Sequence, residues 1–451
     1  MQNSTEVAAN NNQKPKIAIF HYSGPPNTSG VDIIIRDQAR FFRLHGYKVE
    51  IVAGLAKQFR KDIPVHLIRR ISPKHPLVLS TLKELEEGMV SSDFKKLERS
   101  LFCSIKKYLI RNNIQVCILH NLFTRSYNLA LTSALDRLIK DLPHIRFIAW
   151  VHDVVFYNEP DTLLKRELGN QYPWNLLVKP VPKVTYVCVS KFLKNDILTA
   201  FNSSKPAKIT VIPNGRDIQK FLGLSPAMKT LYEDVHGLEC DLIACLPVRA
   251  IPRKNLELAL RIARAILNKG VKFKLLLTAN IDYKREKNLN YYKYLEDLVQ
   301  ELKLKDHVLF LEDYFKRFAT DKKPAPAISI PELFLISDFL LFTSRVEGFG
   351  LPLIEAGLMR CPIFAADIPP LREIGTTNIN YFTRDEKPEQ IADYILESLK
   401  KMPQAYFYRK VIKKFSLHTI FKRRILPLIE SIENRESSAN NTNLLCANRN
   451  T

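Results

Sequence analysis

The stretch SRVEGFGLPLIEAG, residues 344–357, decides how this chain is read. It follows an apolar run, DFLLFT (338–343), and leads into LIEAGLM, so strand, tight glycine turn and helix is the expected local order. Pro352 suits the first helical position, where its missing N–H is no loss. Gly348 and Gly350 permit unusual backbone angles and let a ligand approach the main chain. The N–H groups that open a helix form an anion site suited to phosphate. Glu347 precedes that site and Glu355 lies one turn inside the helix. Carboxylates so placed can hold different hydroxyl-bearing parts of one ligand. A nucleotide-sugar offers both parts, one on each side of its pyrophosphate. The plainer alternative is a glycine-rich turn with two solvated acids. Both acids, both glycines and the proline meeting at one strand-to-helix junction favour a site.

The chain has 451 residues, too many for one ordinary core, so two or three domains are expected. Its apolar share of 46% and charged share of 25% are those of a globular protein. No apolar run reaches the length of a membrane span, and the N-terminal stretch MQNSTEVAANNNQKPK lacks a signal peptide's apolar segment. A cytoplasmic location is therefore expected. The seven cysteines form no CxxC pair and sit near no His partner, which argues against metal and disulfide frameworks. Cys117 and Cys188 lie inside apolar runs and read as core. The net charge is +22, and residues 51–150 carry 17 Lys+Arg against 8 Asp+Glu. Such a field suits nucleic acid, acidic lipid or phosphorylated small molecules, or serves solubility alone.

Short apolar, β-branched runs recur with helical patterns between them. They are 16–21, 48–52, 116–119, 146–151, 184–189 and 208–212 in the first half, and 241–246, 273–278, 307–311, 338–343 and 362–366 in the second. Continuous rather than alternating apolar runs suggest strands covered on both faces, as in parallel sheets. Residues 31–45, 255–268 and 291–304 carry apolar positions at helical spacing, the first ending at Gly46. The alternation implies an α/β chain with doubly wound sheets. The series occurs twice, with a break near 215–238 rich in Pro and Gly. Two Rossmann-like domains facing a central cleft are expected. Chemistry is expected in the loops beyond the strands' carboxyl ends.

EGFGLPLIEA strongly resembles the signature of the retaining glycosyltransferases of the large group 1 family (family four), which have the GT-B fold. The resemblance implies that Glu347 contacts a donor sugar and Glu355 a ribose. It also implies that the backbone at Phe349, Gly350 and Leu351 holds sugar and phosphates. LPVRAIPRKNLELAL (246–260) follows the first strand of the second half. Its Arg249 and Lys254 can neutralise a leaving pyrophosphate. The alternative is a basic loop whose Asn255 caps a helix. The segment is similar to the family's Arg…Lys-Asn element. Arg253 is an extra cation without an assigned role. IAWVHDVVFY (148–157) places His152 after a buried strand, either as a structural histidine or, by resemblance, at the sugar-facing edge of the active site, with Asp153 beside it.

HYSGPPNTSGVDIIIRD (21–37) lacks GxGxxG spacing, which disfavours a dehydrogenase. Where the family usually has Gly-Gly, this sequence has Ser29-Gly30, and Gly30 keeps the backbone role beside donor or acceptor. VIPNGRD (211–217) resembles the family's inter-domain Pro-Asn-Gly segment, and Ser190 opens a helix it can cap. TANIDY (278–283) departs from the family, which usually has a glycine after this strand, and the loop 315–332 is longer than usual. Residues 415–432 are similar to the family's closing helix. The expected division is a polar tail to 14, an acceptor-side domain over 15–220, a donor domain over 221–412, a closing helix over 413–433, and a disordered tail beyond.

The resemblance implies a retaining hexosyl transfer from a nucleoside diphosphate sugar to a hydroxyl acceptor, serving polysaccharide, glycolipid or glycoside synthesis. No cofactor is expected. No DxD-type carboxylate pair is evident, so metal independence is expected. No nucleic-acid partner is expected. Alternatives are another GT-B enzyme, such as a nucleotide-sugar epimerase or a phosphorylase, and a non-catalytic GT-B scaffold. No lysine is singled out for the pyridoxal phosphate that a phosphorylase would need. Residues 95–111 (KKLERSLFCSIKKYLIR) are basic and amphipathic. They read either as a peripheral contact with an acidic membrane surface or as a packed helix with a charged outer face.

Overall fold

Thirteen short strands among the described residues build two parallel sheets, and the continuous apolar runs explain why. A computed structural model describes residues 14–27, 29–155, 167–201, 209–280, 286–321, 323–383 and 385–430. The first sheet comprises β1 (Ile17–Ser23), β2 (Val49–Leu55), β3 (Val65–Leu67), β4 (Val116–His120), β5 (Arg146–Val151), β6 (Thr185–Cys188) and β7 (Ile209–Val211). Its order is β3-β2-β1-β4-β5-β6-β7, with every pairing parallel. The second comprises β8 (Leu242–Leu246), β9 (Phe273–Leu277), β10 (Val308–Phe310), β11 (Phe339–Phe342), β12 (Ile363–Ala366) and β13 (Asn380–Phe382). Its order is β10-β9-β8-β11-β12-β13, also all parallel. In β4 and β11 every residue is buried, as helices covering both faces require. These are two doubly wound α/β units, as the alternating runs of the sequence imply.

The chain divides into two compact units, one formed by residues up to Gly215 together with those from Ile420 onward, the other by Arg216–Thr419. Each has its own apolar core. Phe421 returns to the first unit, where its ring lies 4.8 Å from those of Phe42 and His45. The expected single helix over 415–432 is instead three joined pieces. Leu417–Ile420 is followed by a widened π turn, Phe421–Ile425, and then Leu426–Glu430. The widening immediately precedes Pro427, which has no N–H to bond back along the helix.

Helix Gly30–Leu44 starts at Ser29, whose hydroxyl accepts from the Asp32 N–H. The helix expected at 255–268 runs Leu256–Asn268, and the one expected at 291–304 runs Glu286–Glu301. Helix Ser92–Arg111 buries Phe94, Leu97, Leu101, Ile105, Tyr108 and Leu109 in the first unit's core. The apolar face of the basic segment 95–111 is therefore already occupied, and its charged face points outward. The packed-helix alternative holds. Among the described residues no helix is long and apolar enough to cross a membrane. The second unit encloses Asp338, whose carboxylate accepts from Arg409 Nε at 2.8 Å and from the Ile243 N–H at 2.6 Å. The expected terminal tails, 1–13 and 434–451, and residues 281–283 of TANIDY lie outside the described residues.

Candidate functional site

The nine candidate residues divide between the units: His152 and Gly30 in the first, the other seven in the second. In the second unit β11 runs out at Phe342, and the helix Leu351–Leu358 starts after eight intervening residues. Gly350 caps it with φ +110° and ψ +50°. A Cβ there would stand 2.6 Å from Leu371 Cδ2, so both conformation and space require glycine. Gly348 is different, since a Cβ on it would meet nothing within 4 Å. Phe349 and Leu351 are 53% and 62% exposed, leaving the backbone at the helix start open to a ligand. Pro352 occupies the first turn, as its fixed φ suits.

Glu347 is drawn inward. Its carboxylate pairs with the Lys254 ammonium and with Arg253 Nη1 at 3.3 Å. The Glu347 and Lys254 side chains are only 7% and 10% exposed. Burial lowers the Lys254 pKa below the ordinary lysine range; Glu347 opposes this, and the cations Arg253 and Arg249 add to it. Arg249 is exposed and has no ion pair among the described residues. Glu355 is half-buried, and its carboxylate meets no donor among the described residues. Lys254, Glu347 and Arg249 are thus brought to one place, beside the start of the Gly350-capped helix.

The loops after neighbouring strands β8 and β11 are tied together. Thr343 Oγ1 donates to the Lys254 carbonyl at 3.1 Å, and the Arg345 N–H donates to the Arg253 carbonyl at 2.8 Å. Arg345 also reaches Asn255 Oδ1 at 3.2 Å and Glu257 Oε1 at 2.8 Å. Asn255 precedes helix Leu256–Asn268, but its side chain does not cap it. The capping alternative fails because Asn255 sits at φ +53° and its amide oxygen is taken by Arg345. Arg253, unassigned from sequence, holds Glu347 and donates to the Val346 carbonyl at 3.1 Å. The glycine absent from TANIDY leaves a mark: Ala279 adopts φ +47°.

In the first unit three histidines lie toward the carboxyl ends of three adjacent strands: His21 two residues before the end of β1, His120 last in β4, and His152 just beyond β5. His120 Nδ1 lies 2.9 Å from His152 Nε2, with the rings stacked at 17°. Asn121 Oδ1 accepts from the His152 N–H at 2.7 Å, and Asn214 Nδ2 lies 3.4 Å from His152 Nδ1. Burial pushes the His152 pKa down to about 3, with His21 adding to the effect. Burial also holds His120 well below the usual histidine range. Both rings are therefore neutral at neutral pH, and the single proton between them orients His152. His21 pairs with Asp32 at 3.7 Å, and Asp32 also accepts from Ser23 Oγ and Ser29 Oγ. Asp32 is held below the usual carboxylate range: burial raises it, and the hydrogen bonds from His21, Ser29 and Ser23 outweigh that. His120 and His21 were not singled out from sequence. The available signal was that all three histidines follow apolar runs. A Cβ on Gly30 would meet nothing within 4 Å, so neither conformation nor space requires glycine there.

Residues 233–414 match the family described as "Glycosyl transferases group 1". The chain is similar to mannosylglucosylglycerate synthase of Petrotoga mobilis, 22% identical over 374 residues, or 78% of this chain and 83% of that protein. It is also similar to alpha-1,3/1,6-mannosyltransferase ALG2 of Kluyveromyces lactis, 27% identical over 260 residues, or 51% of this chain and 49% of that one. Among solved structures, it is similar to a glycosyltransferase from Rickettsia africae, 18% identical, with 93% of this chain and 98% of that one covered and a TM-score of 0.34.

Proposed function

We propose, from the match of residues 233–414 to the group 1 glycosyl transferases, that this chain is a retaining enzyme of that family, moving a hexose from a nucleoside diphosphate sugar to a hydroxyl acceptor. The observation that carries this reading is the junction after β11. There Glu347 and Lys254 are buried together beside a helix start whose backbone only glycine can form. In this reading Glu355 takes the ribose hydroxyls, and Glu347 a hydroxyl of the donor sugar. Arg249, Lys254 and the N–H groups after Gly350 take the diphosphate. Their charge stabilises the leaving diphosphate as the anomeric bond breaks. The acceptor hydroxyl then attacks the face that the diphosphate leaves and passes its proton to a departing phosphate oxygen, so no protein nucleophile and no cofactor is assigned. His152, neutral and oriented by His120, is the first unit's contribution in this reading. The names of the two relatives make a mannosyl group the first hexose to test.

The test is thermal shift against UDP, GDP and ADP, with Glu355→Ala alongside. A ligand at about a hundred times its Kd adds roughly 2.7 kcal/mol. One nucleotide should stabilise the wild type and not the variant. The matching mannose and glucose donors should then give a product that keeps the donor's anomeric configuration. No shift with any nucleotide, or an inverted product, would overturn the reading.

A further inference from the structure

Away from the donor loops, the first unit holds a second concavity. It opens where β3 passes into the turn Arg69–Ile71 and faces helix Ser92–Arg111. The cavity measures about 440 Å³, within the range of small-molecule sites, and no carboxylate lines it. Its polar wall is His66, Arg69, Arg70, His75, Ser100 and Ser104.

Arg69, Arg70 and His75 are set to donate. Arg69 and Arg70 have no carboxylate partner among the described residues. Arg70 is steadied by a hydrogen bond to Ser100 Oγ, and its carbonyl accepts from Asn128 Nδ2 at 2.9 Å. His75 Nδ1 accepts the Leu77 N–H at 3.3 Å. A neutral ring must then carry its proton on Nε2, which makes the other edge a donor. His66 is held flat against Tyr108, with ring centroids 4.6 Å apart. Nearby acids are spent elsewhere: Glu98 on Arg137, Asp93 on Lys96, and Asp62 on Arg60 and Arg43. Two guanidinium groups, an imidazole N–H and hydroxyls without a competing anion match the oxygens of a phosphate.

We propose that this cavity binds a phosphate group carried by the acceptor. The proposal rests on the transferase reading and names the acceptor's chemical class. Placement supports it. All strands of this sheet are parallel, so the exit of β3 lies on the same sheet edge as His21, His120 and His152. Four strand spacings separate β3 from β5, or roughly 19 Å at about 4.8 Å each. The phosphate would thus lie well away from the reacting hydroxyl, on an extended acceptor.

The probes are inorganic phosphate and pyrophosphate, followed by thermal shift and ³¹P NMR, and phosphatidylcholine vesicles with and without phosphatidic acid, followed by sedimentation. The variants are Arg69→Gln/Arg70→Gln and Ser104→Glu, which places an acid on an exposed part of the wall. Lys293→Gln, exposed on the second unit, controls for bulk charge. The wild type should bind, both pocket variants should weaken binding roughly tenfold or more, and the control should not. Binding of the inorganic anions alone assigns a soluble phosphorylated acceptor. Sedimentation that needs phosphatidic acid and the two arginines assigns a lipid headgroup. Wild-type binding that is absent, unchanged in the pocket variants, or weakened equally by Lys293→Gln overturns the proposal. The nucleotide shift should persist in both pocket variants; its absence in the wild type would instead remove the transferase reading.

Discussion

Gly350→Ala tests whether the loop after β11 is built as described. At φ +110° an alanine is held outside its favoured backbone regions, at a cost of about 1–3 kcal/mol. Its methyl would also stand 2.6 Å from Leu371 Cδ2. Leu371 is fully buried and cannot swing into solvent, so overpacking adds about 1–3 kcal/mol. Allowing for relaxation, the second unit should lose about 2–5 kcal/mol. For a unit of this size that lowers Tm by roughly 5–15 °C. Gly348→Ala is the matched control, because no atom lies within 4 Å of its new methyl; it should change stability by less than about 0.5 kcal/mol. Calorimetry of the two variants beside the wild type is the assay. If Gly350→Ala melted with Gly348→Ala, the conformation assigned to this turn would be refuted, and with it the argument that glycine presents the helix start to a ligand.

The first unit should lose stability as pH falls from 7.5 to 5. His152 and His120 stay neutral when folded and take protons below about pH 6.5 when unfolded. The unfolded state then binds more protons, so each contribution is complete above that pH and falls by about 2 kcal/mol at pH 5. Urea midpoints across this range should flatten in His152→Gln, and an unchanged slope would refute the assignment. In the second unit, Arg409→Leu strands the buried Asp338 and should cost about 3–5 kcal/mol, whereas Arg409→Leu/Asp338→Leu should recover part of it. A single-variant loss under about 1 kcal/mol in chemical denaturation would contradict this pairing.

What could be read from sequence is what is local. The continuous apolar runs mark the buried strands because parallel strands covered on both faces need no polar alternation. β3 and β13 escaped because three-residue edge strands such as Val65-His66-Leu67 and Asn380-Tyr381-Phe382 carry no such run. The strand–turn–helix junction after β11 was legible because its proline, glycines and acids lie within fourteen residues. Arg253 and Arg345 were not, since their partners Glu347 and Asn255 lie 94 and 90 positions away and meet only when β8 pairs with β11. His120 was hidden for the same reason. Alone it reads as the last residue of an apolar strand, and only the order β1-β4-β5 sets it beside His152. Asn255 misled because a residue before a helix looks like a cap until a distant arginine claims its amide.

The Glu347–Lys254 pair connects this packing to the proposed chemistry. A lysine this buried, with Arg249 and Arg253 near it, is pressed toward its neutral form, and neutral lysine would do little for a departing diphosphate. Glu347 opposes that pressure before any ligand arrives. In the proposed reaction the diphosphate brings negative charge of its own and takes over this role, which frees the Glu347 carboxylate to accept from a sugar hydroxyl. One carboxylate then serves in turn as counter-ion and as sugar ligand. That answers why an acid is buried against two cations, immediately before a turn that only glycine can make.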